Sequence, residues 1–137
     1  MDRLLKTLLA GVVAGIILFV VASIVYNYIG HISDPSLSHI FREKISMKWF
    51  YKLLIITAGT GIIMAFLYSL IYSGLPGGNV FKGIFWGFVV WLIIVHQPLI
   101  TLLVVGKFTM DMLLSWVVQG LVSYVAAGVS ISLIYKD

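Results

Sequence analysis

Four long stretches of the chain hold almost nothing but apolar side chains, and the polar residues collect at the joints between them. Leu4–Ile29, Trp49–Ser73, Val80–Val105 and Met110–Tyr135 are each long enough to span, since a helix needs about 20 apolar residues to cross a bilayer. None has a charge in its central portion, and Lys6, Lys52 and Lys82 lie near enough to the ends to reach the head-group layer. Strands of a membrane barrel would alternate apolar with polar residues, and these runs do not. The pattern predicts four membrane-spanning α-helices. The first run follows the basic start Met1–Lys6 but continues to Tyr26, well past the roughly 7–15 apolar residues of a signal peptide. It is therefore expected to remain as the first helix.

The joints predict how the helices connect. Gly74-Leu-Pro-Gly-Gly-Asn79 is a tight turn made of helix breakers, and Gly106–Asp111 is equally short. Spans 2 and 3, and spans 3 and 4, are thus expected to be antiparallel neighbours. The first joint, Gly30 to Lys48, is longer. In it Asp34-Pro35 reads as an N-cap with proline at the first helical position. Leu37, Ile40, Phe41 and Ile45 then fall at helical spacing, opposite Ser38, Arg42 and Glu43. This predicts a short amphipathic helix from Pro35 to about Lys44, lying in the interface or serving as a docking surface. Aromatic residues mark the span ends, as interfacial belts do. Tyr26, Tyr28, Trp49, Tyr51 and Trp116 fall on one side, and Tyr68, Tyr72, Phe81, Trp86 and Tyr135 on the other.

Composition agrees with this reading and narrows it. Of 137 residues, 61% are hydrophobic and 10% charged, whereas a soluble domain has about 45–50% and about 25%. Too little chain lies outside the spans to form a separate soluble domain, so residues 1–137 read as one transmembrane domain. The net charge of +4 is spread over span ends without the clustered basic, aromatic-interleaved face that nucleic acid would need. The expected surroundings are the lipid bilayer, in the plasma (inner) membrane of a prokaryote. Arg3, Lys6, Lys82 and Lys136 on one side face Arg42, Lys44, Lys48, Lys52 and Lys107 on the other, a difference too small to set orientation. With no cysteine, disulfides, thiolate metal sites and thiol redox chemistry are excluded.

The halves, about residues 1–73 and 77–137, align as a parallel 2+2 repeat. A shift of 76 sets Lys6 on Lys82, Gly11 on Gly87 and Gly30 on Gly106, and a shift of 63 sets Ser69-Leu-Ile-Tyr72 on Ser132-Leu-Ile-Tyr135. Small residues mark the expected packing seams: Gly11 and Gly15 in the first span, Thr57, Gly61 and Ala65 in the second, Gly83 and Gly87 in the third. Lipid offers no hydrophobic drive for helix association, so close backbone approach must supply the contact.

One polar group of residues lies deep in the spans. His96-Gln97-Pro98 occupies the third, with a kink expected at Pro98. Ser115, Gln119 and Ser123 share a face of the fourth. The short third joint sets His96 opposite Gln119 and Gly87 opposite Gly128. The leading reading is a hydrogen-bonded clamp between helices, each bond contributing about 0.6–2 kcal/mol. The sharper reading is a site for haem, quinone or a translocated solute, with His31 and His39 available to a metal on the same side.

No Asp or Glu occupies the centre of a span, no phosphate-binding glycine loop is present, and Ser, His and Asp form no nucleophilic arrangement. No catalytic residue, no metal site and no resident cofactor are expected. Four spans in so short a chain resemble the small multidrug transporters, which carry a glutamate in the first helix; here Leu, Val, Ala and Gly fill it. They also resemble the quinone-linked thiol oxidoreductases, whose cysteines are missing. The sequence therefore favours a non-enzymatic packing or accessory subunit, as a homo-oligomer or within a larger membrane complex. The alternatives are an oligomeric channel or facilitator and a haem- or quinone-binding anchor.

Overall fold

Inside hydrocarbon every backbone N–H and C=O must find its partner within the segment, so an uninterrupted apolar run has little choice but to coil. A computed structural model of the chain describes residues 2–25, 47–106 and 110–135, apart from the side chains of Trp49, His96 and Gln97. It contains α1 (Arg3–Val25), α2 (Met47–Ile71), α3 (Asn79–Val105) and α4 (Met110–Ile134), with a 3-10 turn, Tyr72–Gly74, after α2. All four are long and apolar enough to cross a membrane. Tyr26, Tyr28, His31, His39 and the expected interfacial helix from Pro35 to Lys44 lie outside the described residues.

The helices run alternately up and down. The start of α1, the end of α2, the start of α3 and the end of α4 meet at one end of the bundle, where Arg3 bonds to Ser69 and Tyr135, and Lys82 to Tyr72. We call this the Arg3 end. The turn between α2 and α3 is tight because Gly77 takes φ +84°, a conformation that a side chain resists; a Cβ there would also strike Phe81.

Glycines make two backbone seams. Between α1 and α2, a Cβ on Gly61 would strike the carbonyl of Gly11 and the amide nitrogen of Gly15, and one on Gly11 would lie 2.5 Å from Ile62 Cα. Gly15 rests against Ala58. Between α3 and α4, a Cβ on Gly128 would strike the carbonyl of Gly83 and lie 2.7 Å from the nitrogen of Gly87. Gly83 rests against Val129 and Gly87 against Val125. The two crossings are built alike, with Gly83, Gly87 and Gly128 standing where Gly11, Gly15 and Gly61 stand. The alignment read from the sequence sets Gly11 on Gly87, which is one helical turn from this correspondence.

A second difference concerns neighbours. α1 packs along α4, so the spatial order is α2, α1, α4, α3, and α2 does not pack along α3 despite the tight turn that joins them. The buried Trp86 indole explains the separation: it lies between α3 and α2 with its Nε1 donating to the Met64 carbonyl at 3.2 Å. The pattern of span ends places Trp86 in an interfacial belt, yet it sits in the core. That core is concentrated toward the Arg3 end and includes Ala10, Ala14, Met64, Tyr68, Trp86 and Ile131. Farther along, Ile55 and Ile93 are 70% and 71% exposed and Val105 79%. In water each such side chain would forgo about 1.5–3 kcal/mol of burial, whereas facing lipid costs nothing comparable.

Candidate functional site

The polar residues of α4 are placed by their spacing of four. Ser115 and Ser123 are buried, and each hydroxyl donates to a carbonyl of its own helix, Ser115 to Met112 at 2.7 Å and Ser123 to Gln119 at 2.6 Å. In hydrocarbon a carbonyl one turn back is the nearest partner a hydroxyl can find. Gln119 reaches farther, its Nε2 donating to the Ala22 carbonyl of α1 at 3.1 Å. Ala22 lies 19 residues along α1 from Arg3, near the end of its described part, far from the Arg3 end. The described bond of Gln119 thus joins α4 to α1.

Helix α3 continues through Pro98 to Val105. It keeps the register imposed by the short joint to α4, with Gly87 against Gly128 and Gly120 facing Trp91 and Val95, each 3.3 Å from a Cβ on that glycine. The expected meeting of His96 or Gln97 with Gln119 involves side chains outside the described part. The same holds for the set His31, His39 and His96 that a haem or metal site would use. Trp91 ties the hairpin at this level, its Nε1 donating to the Val117 carbonyl at 3.2 Å.

The Arg3 end holds the most extended polar arrangement among the described residues. The Ser69 carbonyl lies in the last turn of α2 and the Tyr72 carbonyl in the 3-10 turn that follows, where it also accepts from the Leu75 N–H at 3.3 Å; both stand at the negative end of the α2 dipole. Two cations from other helices meet them. Arg3 of α1 donates from Nη2 to the Ser69 carbonyl at 2.7 Å and from Nε to the Tyr135 hydroxyl of α4 at 2.7 Å. Lys82 of α3 donates to the Tyr72 carbonyl at 2.9 Å, with its ammonium 5.7 Å from the centre of the Tyr72 ring. Tyr68, Tyr72 and Tyr135 pack together, the Tyr72 and Tyr135 rings 5.2 Å apart and at 74°. Two charged side chains therefore fasten four helices at one point. Hydropathy alone makes Arg3 and Lys82 separate anchors and the tyrosines a belt. Their convergence is invisible to it, because it depends on α1 and α4 being neighbours; Tyr68, only 1% exposed, belongs to the core rather than a belt.

No protein-family model matches the chain, and no curated protein or solved structure matches it either. The class follows from the fold: an all-α bundle whose four helices have the length and hydropathy of membrane spans, as in an integral membrane protein.

Proposed function

We propose that this is a small multi-pass membrane protein without catalytic machinery, acting as a helix-packing or accessory subunit, as an oligomer of itself or in a larger assembly. The observation that carries this reading is where the polar groups are spent. Thr7, Thr57, Thr60, Ser69, Ser115, Ser123, Ser130 and Ser132 all donate to carbonyls of their own helices. Gln119, Trp86 and Trp91 donate to carbonyls of neighbouring helices. Among the described residues no buried side-chain nitrogen or oxygen is left without a partner. The bonds of Gln119, Trp86 and Trp91 join helices and the hydroxyl bonds satisfy each helix internally, which together leaves little to offer a solute and weighs against a facilitator lined by Ser115, Gln119 and Ser123. The exposed apolar faces of α2 and α3 leave room for further helices.

We also infer that the halves are a diverged duplication, a reading supported by the like construction of their glycine seams. Extraction of the native protein with its surrounding lipid in polymer-bounded discs, followed by mass spectrometry, tests the subunit reading. A homo-oligomer or a stoichiometric membrane partner is the expected result, and a solitary monomer contradicts it. A Soret band in the same material would replace it with the haem-anchor reading that invokes His96.

A further inference from the structure

The Arg3 end holds more donors than the described residues use. An arginine has five N–H donors in a rigid fork and a lysine has three. Among the described residues Arg3 makes two side-chain hydrogen bonds and Lys82 one, all to neutral oxygens. Lys6 lies one turn beyond Arg3 on α1, on the neighbouring position of the same face, and makes no side-chain bond to a described residue. Asp2 is the one carboxylate at this end among the described residues, and it pairs with none of the three cations. Arg3 and Lys82 are already held in place, so an incoming anion need not order them. All three sit where the apolar runs end, at the depth of lipid head groups, where anionic lipids attract basic residues. Arg3 and Lys82 hold carbonyls three residues apart, those of Ser69 and Tyr72, and Lys6 follows Arg3 by one turn, so a planar guanidinium and two ammonium groups share this end of the bundle; such groups are suited to phosphate oxygens.

We propose that Arg3, Lys6 and Lys82 bind the phosphate of an anionic membrane lipid. This rests on the bilayer placement of the four helices and is independent of whether the chain is a subunit.

In the test, the full chain in an uncharged detergent is exposed to phosphatidylglycerol and to phosphatidylcholine at equal concentration, and retained lipid is counted by native mass spectrometry. Phosphatidylglycerol should be retained at least about fivefold more, and K6Q should lower that retention about three- to fivefold. R3Q and K82Q should lower it at least as much, with circular dichroism reporting whether each variant keeps its helices. K6Q keeps the test decisive if those two fail to fold, because Lys6 makes no side-chain bond that supports the described structure. Inorganic phosphate at the same concentration should not displace the lipid. Equal retention of the two lipids, indifference to K6Q, or displacement of the lipid by inorganic phosphate each overturns the assignment. None of these results bears on the native assembly, so the subunit reading stands or falls by its own experiment.

Discussion

A methyl group is all that separates glycine from alanine, and at Gly61 there is nowhere to put one. The Cβ would meet the carbonyl of Gly11 and the backbone of Gly15, neither of which can swing aside as a side chain can. Gly59, two residues earlier on the same helix, has nothing within 4 Å of its would-be Cβ. Gly61→Ala should therefore destabilise the bundle by about 1–3 kcal/mol through overpacking. Gly59→Ala should be neutral or stabilising by up to about 1 kcal/mol through helix propensity. Unfolding in mixed micelles measures both, and equal effects would refute the seam. Gln119→Leu removes the donor to the Ala22 carbonyl and should cost about 0.6–2 kcal/mol in the same assay. At this scale the seam glycines are legible in the sequence, because small residues spaced by four in an apolar helix lie on one face and let another backbone come close. The bonds of Arg3 are not. Its partner Tyr135 is 132 positions away, and nothing local in either residue's neighbourhood announces the other.

Among the elements, Trp86 decides more than its size suggests. It keeps α2 and α3 apart near the turn that joins them, and both its bulk and its N–H are used. Trp86→Phe should lose the bond to Met64 while leaving the wedge, a smaller cost than Trp86→Ala, which opens a cavity worth on the order of 3 kcal/mol or more. A chain without cysteine also allows pairs to be introduced cleanly. Phe19→Cys with Phe50→Cys, whose native rings meet at 4.7 Å between facing helices, should be joined by a short bifunctional thiol reagent. Ile56→Cys with Ile94→Cys should not, because α2 and α3 do not pack along their lengths; efficient cross-linking of that second pair would contradict the order α2, α1, α4, α3. The spans and their ends can be read from hydropathy because length in hydrocarbon is a one-dimensional property. Which helix lies beside which is a question of azimuth. Short joints constrain it weakly, so the tight turn at Gly77 suggests that α2 and α3 are neighbours, and nothing in the joints pairs α1 with α4.

At the level of the whole molecule, the chain is a bundle of four helices, each long and apolar enough to cross a membrane, with its fastened point at the Arg3 end. Helices of 23 to 27 residues place their two ends roughly 35–40 Å apart at 1.5 Å per residue. Distances between spin labels on cysteine pairs, measured by pulsed dipolar spectroscopy in lipid nanodiscs, test this without depending on which way the protein inserts. A short distance, below about 20 Å, is predicted for Asp2→Cys with Ser73→Cys, because α1 starts where α2 ends. Roughly a full helix length is predicted for Ser73→Cys with Asp111→Cys, because α3 must cross the bilayer between them. A long first distance or a short second one would mean that at least one of the four helices does not span, and would contradict the four-crossing topology at its root.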